Sequence, residues 1–163
     1  MELKRRVDLR KVVSIVYAIA FATYIFVGLT PAEASNLEIS GELRIPNIAL
    51  TSDVTTLNLV DHKLNTPDTI VGAYKSAPGK TFLVGHASTV FKDLDLINVN
   101  DYIYYNNEVY EVIDIEMTAK KDVDMNEILA PTLKDTLIIM TCAGTPVGNN
   151  DATHRLIVTA LEK

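Results

Sequence analysis

Thr136-Leu137-Ile138-Ile139-Met140-Thr141-Cys142 is a short apolar run, bounded by threonines, that ends in a thiol. A run of this length with β-branched members reads as a buried strand, since a helix needs about 10 residues or more. Cys142 is the only cysteine in the 163-residue chain. The N-terminus reads as an export signal, and exported proteins usually pair their cysteines or discard them. A lone thiol therefore points to an intermolecular bridge or to chemistry. Thirteen positions on, Arg155 opens a second strand-like run, Leu156-Ile157-Val158. Upstream, His86 follows a third, Thr81-Phe82-Leu83-Val84-Gly85. A thiol, an imidazole and a guanidinium, each at the mouth of a strand, are the groups an acyl-transfer site employs. His86, Cys142 and Arg155 are the candidate catalytic residues, with the Thr141 hydroxyl as candidate support.

Outward from these three runs the texture stays β. Leu43-Arg44-Ile45 alternates before Pro46, and Ile48-Ala49-Leu50 reads as a second short strand. Tyr102–Tyr105, a turn at Asn106-Asn107 and the alternating stretch from Glu108 to Glu116 read as a hairpin with one half-buried strand. Helical signal is confined to single turns near Val54–Val60, Phe91–Ile97 and Met125–Leu129, where Asp124 is placed to cap. The segment Ala143–Asp151 reads as a flexible loop with no aromatic residue and one charge. Many short strands separated by turn signals make the domain all-β, a closed barrel or a sandwich.

Lys4, Arg5, Arg6, Arg10 and Lys11 precede 18 uncharged residues, Val12 to Leu29. As a helix this stretch spans roughly 27 Å, close to the thickness of a bilayer core, about 30 Å. The basic flank comes first, so the expected topology keeps residues 1–11 cytoplasmic and places the rest of the chain outside. A cleaved signal peptide is the alternative, because Ala32-Glu33-Ala34 matches a small-x-small cleavage site. Expected boundaries are a basic tail at 1–11, a membrane anchor at 12–29, a linker at 30–40 and one catalytic domain at 41–163.

The first 34 residues carry five basic and three acidic side chains against 15 and 21 in the whole chain. That leaves 10 and 18 for residues 35–163, a net charge of −8. An acidic domain without a Lys/Arg stripe does not bind nucleic acid, since the phosphate backbone repels it. Its field favours cationic or amine-bearing partners.

The run Phe82-Leu83-Val84-Gly85-His86-Ala87-Ser88, followed by Phe91, Leu94, Leu96 and Asp101-Tyr102-Ile103, resembles the histidine segment of the sortases. Leu137-Ile138-Ile139-Met140-Thr141-Cys142 is similar to their Leu-x-Thr-Cys signature, and His154-Arg155-Leu156-Ile157-Val158-Thr159-Ala160 to their arginine-bearing final strand. Leu43-Arg44-Ile45-Pro46-Asn47-Ile48 resembles the opening strands, and Gly72-Ala73-Tyr74 through Pro78-Gly79-Lys80 the lead-in to the histidine. The order His, Cys, Arg also matches.

The resemblance implies an eight-stranded β-barrel with short helices, preceded by one N-terminal transmembrane helix. It implies a membrane-anchored cysteine transpeptidase acting outside the cell. Its partners are surface proteins or pilins bearing a sorting signal of Leu-Pro-x-Thr-Gly type. The amine acceptor is peptidoglycan or a pilin lysine, and the bilayer holds the anchor. By the same resemblance Cys142 attacks, His86 moves the proton and Arg155 holds the oxyanion. No cofactor is expected. Some sortases bind calcium, which leaves that ion open, but Asp114, Glu116, Asp122 and Asp124 lack the spacing of a loop site. The Thr-Pro-x-Gly pattern after the cysteine resembles pilin-polymerising sortases, whereas Gly72-Ala73-Tyr74 resembles smaller housekeeping types, so no class is assigned.

Each residue has a plainer reading. Cys142 alone fits a small buried hydrophobe, His86 a surface-turn residue, and Arg155 a partner for a carboxylate on the barrel exterior. His154 is a rival base, but neighbouring strand residues face opposite sides, and His62 reads as solvent-exposed between Asp61 and Lys63. Two rival functions are an L,D-transpeptidase-like acyltransferase and an inactive sortase-like envelope binding domain. The first lacks its Ser-x-Gly-Cys turn here, and the second is at odds with three intact candidate residues.

Overall fold

The strand that carries Cys142 is one of the eight staves of a closed barrel. A computed structural model of the chain describes residues 37–60, 63–148 and 151–163. The eight barrel strands are β1 (Ile39–Ile45), β2 (Leu50–Thr56), β5 (Val71–Ala77), β6 (Lys80–Val84), β7 (Tyr102–Tyr105), β8 (Glu108–Ala119), β9 (Thr136–Gly148) and β10 (Asp151–Glu162). They close in the order β1-β2-β5-β6-β9-β10-β8-β7, and β3 (Leu59–Val60) pairs with β4 (Lys63–Leu64) as a separate two-stranded sheet. The β6–β9 and β2–β5 pairs are parallel, while β9–β10, β10–β8 and β7–β8 are antiparallel.

The continuous apolar run in β9 has a physical reason. Leu137 and Ile139 join Leu43, Val54, Ile103 and Val158 in the barrel interior. Ile138 and Met140 face outward and pack with Phe82, Val84 and Ile157 beneath a second layer formed by Val123, Met125, Ile128 and Leu129. A strand covered on both faces has no solvent side and therefore no polar alternation. Each fully buried large side chain contributes about 1.5–3 kcal/mol. The second layer is the crossover from β8 to β9, whose helix α1 (Met125–Leu129) is capped by Asp124, its carboxylate accepting from the Asn126 and Glu127 N–H groups. That turn stands where the sequence places it, as does a 3-10 turn at Leu94–Leu96.

Several expectations are corrected. The helical turn at Val54–Val60 is absent: Val54–Thr56 belong to β2 and Leu59–Val60 form β3, in keeping with their β-branched content. Ile48-Ala49-Leu50 is not one strand, because Pro46–Ile48 form a 3-10 turn that Ala49 closes at φ 51°. Proline at the first position presets that turn. β1 begins at Ile39, inside the stretch expected as linker, and Ile39 already pairs with Thr55. Within the segment expected as a loop, residues 143–148 belong to β9 and Asp151 opens β10, and the two strands pair antiparallel. The basic tail, the apolar stretch 12–29 and His62 lie outside the described residues. Among the described residues no helix is long and apolar enough to cross a membrane.

Candidate active site

Register brings the three sequence-predicted residues to one place. In the β6–β9 pair Val84 lies beside Met140. Two residues further along the same parallel direction stand His86 on one chain and Cys142 on the other. The Thr141 hydroxyl donates to the Gly85 carbonyl at 2.8 Å, a buried bond that ties the two chains one residue before the imidazole and the thiol. Across the β9–β10 ladder Cys142 pairs directly with Arg155. Opposed residues of an antiparallel pair project from the same face, here the outer face that also bears Met140 and Ile157.

His86 is set by a compact turn. Its carbonyl accepts from the Thr89 and Phe91 N–H groups at 3.2 and 3.1 Å. Gly85 is needed there, because a Cβ would stand 2.5 Å from Val90 and 2.7 Å from the buried Phe91 ring. The His86 Nε2 lies 3.8 Å from the Asp68 carboxylate, and its side chain is 19% exposed. His86 and Cys142 line a pocket of about 350 Å³ with Gly144, Pro146, Asp151 and Ala152. On the opposite flank Thr118, which pairs with Arg155 in the β8–β10 ladder, lines a second pocket of about 440 Å³ under the crossover.

Arg155 is paired, as its plainer reading anticipates, but inside the site. One terminal nitrogen donates to the Asp151 carboxylate at 2.6 Å, and the other donates to the Ala152 and His154 carbonyls at 3.0 and 2.8 Å. Lys120 bonds the second oxygen of Asp151. Hydrogen bonds from Lys120, then Arg155 and the Ala152 N–H, hold the Asp151 carboxyl well below the usual carboxylate range. His154 points elsewhere, its Nδ1 2.8 Å from the Thr153 hydroxyl and its ring packed on Gly144, whose φ of 77° suits glycine. Among the described residues no three His, Cys, Asp or Glu side chains are grouped to hold a metal ion.

Asp151 is the residue that sequence reasoning missed. In a regular strand, positions four apart are separated by roughly 13 Å. Register shifts between Asp151 and Ala152 and between Ala152 and His154 break that regular spacing, and the two side chains meet. The only sequence trace was a lone charge in an otherwise neutral segment.

The barrel and its cleft define a class of closed β-barrel with a thiol and a guanidinium on neighbouring strands and an imidazole lining the thiol's pocket. A family model of the Sortase domain matches residues 43–163, and the chain belongs to the sortase family. Sortase A from Corynebacterium diphtheriae, as a lid mutant, superposes with a TM-score of 0.60 at 24% identity, covering 81% of this chain and 74% of that one. Sortase C1 from Streptococcus suis gives 0.60 at 20% identity over 100% and 89%. A Clostridium perfringens sortase D5 transpeptidase gives 0.58 at 22% identity over 77% and 79%. At these identities the likeness is one of fold. No curated protein sequence matches the chain.

Proposed function

We propose that this chain is a cysteine transpeptidase that cleaves a C-terminal sorting signal, of Leu-Pro-x-Thr-Gly type, and transfers the upstream protein to an amine of peptidoglycan or a pilin lysine. The observation that carries this reading is the direct pairing of Cys142 with Arg155, with His86 at the end of the adjoining strand and lining the same pocket as the thiol. The Cys142 thiolate attacks the scissile carbonyl, forming a C–S bond, and the oxyanion is held by an Arg155 N–H. Collapse breaks the C–N bond as His86 protonates the departing amine. An incoming amine then attacks the thioester, His86 takes its proton, and the thiolate leaves. The Thr141 hydroxyl supports the site by fixing the Gly85 carbonyl.

We further propose that residues 12–29 anchor the protein in the cell membrane with residues 1–11 cytoplasmic and the barrel outside, which the five basic residues before Val12 support. Recovery of the domain in soluble form with Ser35 as its first residue would overturn the anchor. Incubating the chain with sorting-signal peptides and a panel of amines, and following thioester and product by mass, tests the reaction. A mass increase on Cys142 equal to the upstream acyl fragment is the expected result; peptide cleavage without it would sink the proposal.

A further inference from the structure

We propose that Asp151 is a positioning residue for Arg155, the ladder partner of Cys142, fixing its guanidinium plane, with Lys120 securing the carboxylate from its other side. In its catalytic consequence this rests on the transpeptidase reading above. The Ala152 and His154 carbonyls engage one terminal nitrogen of Arg155 only, and both are backbone groups. The bond from the other terminal nitrogen to Asp151, at 2.6 Å, supplies the second anchor that sets the plane. Of five guanidinium N–H donors, these contacts use three and leave the rest for a substrate oxygen.

Asp151 is itself held. The Ala152 N–H donates to Oδ1 at 2.9 Å and the Lys120 ammonium bonds Oδ2. Lys120 opens the 3-10 turn that leads from β8 into the crossover, so this chain of contacts joins the crossover to the arginine. The Arg155 side chain is only 14% exposed, so the pair is screened by water less than an ordinary surface ion pair. With its carboxyl held low by Lys120 and Arg155, Asp151 is ionised across the neutral range. Asp151 also lines the pocket that holds His86 and Cys142, which puts the anchor at the reacting face.

Two measurements on the full chain in detergent micelles test this. In arginine-selective 15N NMR, wild type should show two separate, slowly exchanging terminal-nitrogen signals for Arg155, assigned by their loss in Arg155→Lys. Asp151→Asn should merge them, Asp151→Glu should keep them apart, and Lys120→Met should only broaden them. With a fluorogenic Leu-Pro-x-Thr-Gly peptide and hydroxylamine as acceptor, Asp151→Asn should lower kcat by about 10- to 100-fold, the scale of a misplaced catalytic group. Its KM should change little, and Asp151→Glu should recover part of the loss. A single averaged Arg155 signal in folded wild type, or wild-type kcat in Asp151→Asn, overturns the proposal. Separate signals in a wild type that turns over no sorting peptide would support the positioning and count against the transpeptidase reading instead.

Discussion

The Thr141 hydroxyl and the Gly85 carbonyl, 2.8 Å apart and buried, join the backbones that carry the thiol and the imidazole. The paired β6–β9 ladder ends at Val84 and Met140, so this side-chain bond continues the stitching one step further, to the edge of the site. A side chain serves here because the chain leaves the ladder to form the His86 turn.

Thr141→Val keeps the shape and removes the donor. A buried carbonyl left without its partner costs about 1–3 kcal/mol, so the variant should melt lower and cleave sorting peptide more slowly. Thr141→Ser should restore both. Thermal unfolding alongside peptide turnover checks this, and a Thr141→Val protein equal to wild type in both would reduce the bond to a bystander.

Arg155→Ala should lose most peptide turnover, by roughly 10²–10³-fold, as for a deleted oxyanion donor. Arg155→Lys keeps the charge but not the planar fork, and it cannot reproduce three contacts on Asp151, Ala152 and His154 at once. It should therefore fall between wild type and alanine. Near wild-type turnover by folded Arg155→Ala would make the residue structural and place the oxyanion donors elsewhere.

Legibility in the sequence followed chemistry of pattern. The β7–β8 hairpin was readable because Tyr102–Tyr105 and Glu108–Glu116 alternate around Asn106-Asn107, and Asn106 takes φ 48° in the turn. β2 was obscured by Thr51, Ser52 and Asp53, and β5 by Gly72, Ala73 and Ser76, whose small side chains carry little hydrophobic signal. Gly72 in fact makes room for Leu57, which a Cβ would meet at 2.4 Å. His86, Cys142 and Arg155 could be singled out because their residue types are scarce or sit at strand mouths. Asp151 could not, since its meeting with Arg155 depends on a register shift that no local pattern announces.

Away from the site, Glu162 is crowded by the Asp135 and Glu108 carboxyls, which raise its pKa above the ordinary 4.5. A carboxyl that binds its proton more tightly when folded costs no stability below its unfolded pKa. The penalty grows as pH rises through the folded value and is complete above it. Glu162→Gln should therefore raise the melting temperature at pH 7 and lose that advantage below about pH 4. An equal gain at both pH values would show that packing, not like charge, is responsible.

Cys142→Ala should abolish thioester formation and peptide cleavage while keeping the fold, since a small residue replaces a small one on a half-buried position of the β9–β10 ladder. His86→Ala should be nearly as damaging, because the thioester route needs an acid for the departing amine and a base for the incoming one. The turn should survive that change, as Thr89 and Phe91 bond the His86 carbonyl and not its ring. Groups acting as one unit lose function non-additively, so the double variant should be little worse than either single one. A sorting-signal peptide ending in a vinyl sulfone should add once to wild type, at Cys142, and more slowly to His86→Ala. Matching melting curves for all variants would assign the losses to chemistry. Sorting-peptide cleavage by purified Cys142→Ala at the wild-type rate, with contaminating protease excluded, would end the transpeptidase reading.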